Sequence, residues 1–220
     1  MTEPRFVWYM ILANVSIFVI GVMTFYHNEV VLAQLINYPS DLLSFRWHTF
    51  ITAGFLHANL LHLVGNMIAL FIFGRIVERE YGSATTIYLY SGALILSGLF
   101  SAIVHLILGE NPGGVGASGA IMGLVAIAML TKPFYLTYYA IIPLPIMVYG
   151  WLYLIADLSG VFSGVDSGIG HFAHLGGFLS ITLLMYLLSP ERRKKLKNGL
   201  WINMASVVLF IGFIGLLGII

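Results

Sequence analysis

The sequence predicts an all-α protein, a polytopic bundle of helices embedded in a lipid bilayer. Three observations predict it. Apolar residues make up 60% of the 220 and charged residues only 9%, against roughly 25% charged in an ordinary soluble domain. The apolar residues fall into seven long runs separated by charges or Gly/Pro clusters, and a membrane-crossing helix needs about 20 residues. The basic residues, finally, gather at alternate ends of those runs, which is how positive charge fixes the direction of membrane helices.

The candidate spans are 6–26, 58–77, 84–107, 117–131, 137–157, 170–189 and 200–220. The first lacks a small-residue cleavage site after its apolar stretch (Met23-Thr24-Phe25-Tyr26) and is read as a retained helix, not a signal peptide. Between the first and second lies the longest connection, 27–57, which mixes Val30, Val31, Leu32, Phe45 and Trp47 with polar residues. Such amphipathic material lies in the membrane interface and is expected as a structured outer element. The fourth run is the shortest and opens on glycines, which predicts a helix beginning below the membrane surface. The basic cluster Arg192, Arg193, Lys194, Lys195 and Lys197 is expected to be a cytoplasmic linker over 191–199, between the sixth span and the seventh.

With the amino terminus cytoplasmic and each span reversing direction, every Lys and Arg except Arg46 falls on the cytoplasmic side. His27, His48, His57, His62, His105, His171 and His174 all fall on the opposite, outer side. Ten Lys and Arg against nine Asp and Glu leave a net charge of +1, too little to build a basic face for nucleic acid. The absence of cysteine excludes disulfides, thiolate nucleophiles and thiolate metal sites.

Polar groups inside a bilayer are costly and mark function or helix–helix hydrogen bonding. Three clusters qualify. Ser118, within Gly113-Gly114-Val115-Gly116-Ala117-Ser118-Gly119-Ala120, opens the fourth span beside backbone N–H groups that a helix leaves free. A nucleophile there has an anion site next to it. The competing reading is a small-residue packing patch with Ser118 as a cap. The second cluster is Ala173-His174-Leu175-Gly176-Gly177; near neutral pH a histidine can take a serine proton and return it to a leaving amine. Gly177, one turn on, would let the sixth helix pack closely on the fourth. His62 and Asn66, four apart on the second span after His57, share a helix face and can hold an oxyanion. Taken singly, each cluster also reads as ordinary helix packing; together they supply nucleophile, base and oxyanion donors at one end of the bundle.

Gly116-Ala117-Ser118-Gly119, Ala173-His174 with Gly177, and His57…His62…Asn66 resemble the rhomboid family of intramembrane serine proteases. The stretch Gly74-Arg75-Ile76-Val77-Glu78-Arg79-Glu80-Tyr81-Gly82 is similar to that family's glycine–glutamate–glycine signature. The resemblance covers roughly 40–180. It implies a Ser118–His174 dyad without a required third acid, and an oxyanion hole built from the Ser118 N–H, Asn66 and His62. It implies structural or supporting roles for His57, Glu78, Gly82, Gly116, Gly119 and Gly177. It also implies a rhomboid-like six-helix catalytic core over 1–190 and one extra carboxy-terminal transmembrane helix over 200–220. Many relatives carry an aromatic residue four positions after the serine; here that position is Met122.

The expected activity is hydrolysis of peptide bonds in or near the transmembrane segments of membrane-protein substrates, with the bilayer as the surrounding partner and no cofactor, metal or nucleic acid. Two alternatives belong to other classes. One is a metal-dependent membrane hydrolase using His171 and His174 with His57 or His62, although there is no H-E-x-x-H motif and no carboxylate is expected beside these histidines. The other is a non-catalytic rhomboid-like protein that binds membrane clients. An outward-facing site without a targeting peptide fits the cytoplasmic membrane of a prokaryote.

Overall fold

A computed structural model of the chain describes residues 5–138, 143–163 and 169–216. Parts of the expected segments lie outside these residues: 139–142 of the fifth span, 217–220 of the seventh, and residues 1–4 and 164–168 of the core. The first helix, α1 (Phe6–Thr24), is followed by the outer segment, which contains α2 (Glu29–Leu35) and α3 (Thr49–Thr52). A continuous second span then runs from α4 (Leu60–Ala69) through a π-helical turn (Leu70–Gly74) into α5 (Arg75–Tyr81). Next come α6 (Ser83–Leu108), α7 (Ser118–Thr131), α8 (Ile146–Ser163), α9 (His171–Leu184) and α10 (Pro190–Leu216). Five of these segments are long and apolar enough to cross a bilayer, and α7 and α9 are shorter apolar helices. Helices dominate because lipid offers no hydrogen bonds, so each span must satisfy its own backbone.

Two boundaries differ from expectation. The fifth span was predicted over 137–157, but Leu136–Tyr138 (β1) and Pro143–Pro145 (β2) pair antiparallel, and the helix begins only at Ile146. Pro143 and Pro145 lack the N–H that a helix interior requires, so the apolar run starts extended and the helix continues on to Ser163. The stretch 191–199, expected as a linker ahead of the seventh span, forms the opening turns of α10, continuous with that helix. Its Lys and Arg are good helix formers, and two of them find partners: Arg192 donates to Thr85 at 3.3 Å and Lys195 pairs with Glu80.

α7 is the central helix. Nearly every residue from Gly119 to Thr131 is buried, enclosed by α6, α8, α9, α10 and the π-helical turn. α6 and α9 reach it through small residues: a Cβ on Gly123 would meet Ala93 Cβ at 2.5 Å. α10 comes close at Gly199, where a Cβ would overlap the Leu130 carbonyl, and Asn203 donates to the Met129 carbonyl at 3.1 Å. The Asn203 side-chain oxygen in turn accepts from Trp151 of α8 at 3.1 Å, so the last helix is fastened to α7 and α8.

One end of the bundle is tied by buried polar groups. Glu78, 3% exposed, accepts from the backbone N–H groups of Phe6 (2.8 Å) and Val7 (3.1 Å) and from the Ser83 hydroxyl. It thereby caps α1 from 72 residues away, placing negative charge where the helix dipole is positive. Gly82, at φ +81°, makes the left-handed turn from α5 to α6 that a side chain resists. At the same end Tyr81 hydrogen-bonds Thr131 at 2.7 Å and Lys132 pairs with Glu80 at 3.2 Å. This holds the far end of α7, so its shortness is expressed at the Ser118 end: 14 residues span about 21 Å and the 26 of α6 about 39 Å.

Replacing Glu78 with Ala should orphan two backbone donors and a hydroxyl, each worth about 1–3 kcal/mol when buried. The melting temperature in detergent should fall clearly, and fall less for Glu78→Gln; an unchanged melting curve for the alanine variant contradicts this capping role.

Candidate active site

The Gly-rich approach to Ser118 is held by the outer segment. Asn37 and Gly114 exchange backbone hydrogen bonds at 3.2 and 2.7 Å, the Ser40 N–H donates to Asn111 at 2.9 Å, and the Gly116 N–H donates to the Ala53 carbonyl at 2.9 Å. The outer segment is itself braced: Arg46 pairs with Asp41 at 3.2 Å and donates to the Ala33 carbonyl at 2.6 Å. His48 bonds the Gln34 carbonyl at 3.0 Å. Its exposed face carries Leu43, Phe45 and Trp47, apolar groups that suit a membrane interface.

Ser118 is the first residue of α7 and is half-buried. The N–H groups of a helix's first turn have no partner within the helix. Gly119 follows, at the crossing of α7 with α9. A Cβ on Gly177 would overlap the Gly119 carbonyl and meet Met122 Cβ at 3.0 Å, and a Cβ on Gly119 would lie 3.4 Å from the Ala173 carbonyl. Ser118 is therefore next to the closest approach of the two helices from one side, and His174, one turn before Gly177, from the other.

The second span brings its polar pair to the same level. Asn59 caps α4, accepting from the His62 N–H at 2.8 Å, and the Ala58 N–H points at His62 Nδ1 from 3.4 Å. That contact makes Nδ1 an acceptor and leaves Nε2 to carry the ring proton. A Cβ on Gly116, which stands at φ +123°, would lie 2.9 Å from His62 Nε2 and 3.6 Å from Asn66 Nδ2. Only glycine leaves this space open while taking that backbone conformation. Asn66 Nδ2 is buried with no hydrogen-bond partner among the described residues, so a donor stands ready beside the Ser118 loop. His57 is 2% exposed and packs edge-to-face on His62 with centroids 5.1 Å apart; its backbone N–H donates to the Tyr26 hydroxyl at 3.3 Å.

Burial, with the His62 imidazole beside it, pushes His57 down from 6.5 to about 4. A histidine held neutral by the fold contributes stability above its unfolded value, and that stability drains away as protonation of the unfolded chain takes over. The melting temperature in detergent should therefore drop between about pH 6.5 and pH 4, and His57→Gln should flatten that dependence. Identical pH profiles for the two proteins contradict it.

Sequence reasoning missed one residue here. Asp157 of α8, 3% exposed, bonds through one oxygen, Oδ1, to both His171 Nδ1 and His174 Nδ1, each at 2.9 Å. The expectation that no carboxylate lies beside these histidines is thus corrected. The signal was an acid at the end of the fifth span; truncating that span at 157 made Asp157 look like a boundary charge. Among the described residues, no group of three His, Asp or Glu side chains has the arrangement to hold a metal ion.

The rhomboid domain family model matches residues 44–191. The chain is 35% identical over 169 residues to rhomboid-like protein 11, chloroplastic, of Arabidopsis thaliana, covering 70% of this chain and 54% of that protein. It is 28% identical to RHOMBOID-like protein 12, mitochondrial, of the same plant, over 76% of this chain and 54% of the relative. It is 26% identical to rhomboid protease AarA of Providencia stuartii, over 87% of this chain and 78% of that protein. The chain spans about half the length of the two plant relatives. Their chloroplastic and mitochondrial names stand beside one bacterial relative, so these matches do not favour the expected prokaryotic membrane. The fold, a multi-pass bundle of membrane helices, and the match over 44–191 agree: the chain belongs to the rhomboid family.

Proposed function

We propose that the chain is an intramembrane serine endopeptidase in which Ser118 is the nucleophile and His174 the general base. The observation that supports this reading is the Gly119–Gly177 crossing, one residue after Ser118 on α7 and one turn after His174 on α9, together with the unpartnered Asn66 Nδ2 among the described residues. In this reading the Ser118 hydroxyl oxygen attacks the carbonyl carbon of the scissile peptide bond while its proton passes to His174 Nε2. The oxyanion is received by the Ser118 N–H, Asn66 Nδ2 and the His62 Nε2–H. Collapse breaks the C–N bond, and His174 gives its proton to the departing amine. Water, deprotonated by His174, then hydrolyses the acyl-serine and restores the hydroxyl.

Substrates in this reading are membrane-spanning segments that unwind locally, since an intact helix engages its carbonyls in its own hydrogen bonds. Small or helix-weakening residues near the end of the span are therefore favoured. The end bearing Glu80, Lys132 and Lys195 is assigned to the cytoplasmic side by its positive charge. The recessed serine then opens to the opposite face.

Purified protein incubated with a single-span model substrate tests the assignment. Ser118→Ala and His174→Ala should abolish cleavage while the proteins remain folded, and a chelator should leave the wild type active. Asn66→Ala should lower kcat by about 10²–10³-fold, the usual loss for one oxyanion donor. Cleavage by Ser118→Ala, or loss of activity to the chelator alone, overturns the reading.

A further inference from the structure

We propose that Asp157 is a positioning residue for His174: its carboxylate fixes the imidazole's tautomer and orientation and steadies the imidazolium formed during the reaction. This inference rests on the Ser118–His174 reading above. It makes the working unit a triad spread over α7, α8 and α9.

Hydrogen-bond chemistry sets the tautomer of both rings. An ionised carboxylate only accepts, so an oxygen 2.9 Å from two imidazole nitrogens requires each ring to present Nδ1–H. His174 Nε2 is then an unprotonated acceptor, the form in which it can take a hydroxyl proton. Without that bond the ring can carry its proton on Nε2, where it cannot act as a base towards Ser118.

The surroundings hold Asp157 in place. Its partner His171 lies so closely over Gly160 of the same α8 helix that a Cβ at Gly160 would overlap the imidazole. α8 thus offers a flat seat for that ring, and His171 holds the carboxylate through its own bond to Oδ1. Among the described residues, few other charged or titratable groups face His174. From α4 comes His62, close enough for the two imidazoles to repel when both are charged; from its own helix comes His171; from α7, in the dyad reading, comes Ser118. Among the described residues, Asp157 is therefore the group that offsets positive charge on His174.

A purely structural link between α8 and α9 does not explain the charge. The second carboxylate oxygen, Oδ2, is buried and has no hydrogen-bond partner among the described residues. A buried charge with half its acceptors idle is a costly way to join two helices, and a neutral amide would serve better. Negative charge gains its value when the imidazole becomes positive, because a charge-assisted hydrogen bond is about twice as strong as a neutral one.

The experiment compares wild type, Asp157→Asn, Asp157→Ser and Ser118→Ala as purified full chains on a single-span substrate. Melting curves verify folding, and fluorophosphonate titration counts active sites in the three proteins that keep the serine. The Asp157 variants should lose roughly 10²–10⁴-fold in kcat, as when the acid of a Ser-His-Asp triad is neutralised, with KM essentially unchanged. The acidic limb of their pH–rate profile should move to lower pH, because the imidazolium has lost its counter-charge. A merely structural role would reduce the count of active sites and leave that limb in place. Wild-type kcat and an unmoved limb in either folded variant, with Ser118→Ala inactive, overturn the role of Asp157 alone. Failure of both variants to fold also overturns it, by assigning the carboxylate to joining the helices. Cleavage by Ser118→Ala would instead remove the dyad reading beneath it.

Discussion

Everything at the candidate site depends on how closely α7 and α9 approach, and that approach depends on hydrogen atoms. Where Gly177 faces the Gly119 carbonyl there is no room for a methyl group. In lipid, helices gain little from hiding apolar surface, because the solvent is equally apolar; close backbone contact through small residues takes its place. The same contact that stabilises the pair lines up the first turn of α7 with the first turn of α9. Packing and the proposed chemistry therefore share one structural cause.

A second constraint is depth. α7 is about half the length of α6, and its far end is anchored by Thr131 on Tyr81 and by Lys132 on Glu80. The deficit falls at Ser118, and the chain must descend to reach it. The glycines of 113–116 make the descent, while Asn37, Ser40 and Ala53 of the outer segment supply backbone partners for it. A polar loop at membrane depth is tolerated where protein surrounds it. The outer segment is thus part of the site's scaffold, and the Arg46–Asp41 pair and the Arg46–Ala33 bond brace it.

Much of this was legible in the residues. Long apolar runs become helices because lipid permits little else, and all seven runs contain one. What failed was local. Hydropathy cannot tell an extended apolar run from a helical one, so β1 and β2 were read into the fifth span and its helix was placed too early, leaving Asp157 at the edge. Charge was read as a break at 191–199, whereas Lys195 and Arg192 find partners on α5 and α6 as helical residues. Ser118, His174, His62 and Asn66 were readable because polar groups stand out in an apolar background. Their mutual orientation was not, since it depends on interhelical contacts such as those at Gly116, Gly160 and Gly199 that no spacing along the chain encodes.

The most direct measurement is an experimental structure of the protein inhibited with a fluorophosphonate. The account predicts phosphorus bonded to Ser118 Oγ, and a phosphoryl oxygen about 2.7–3.1 Å from Asn66 Nδ2 and within reach of the His62 Nε2–H and the Ser118 N–H. His174 should still be bonded to Asp157. An adduct on another residue, or a phosphoryl oxygen turned away from Asn66 with His174 directed elsewhere, would contradict it.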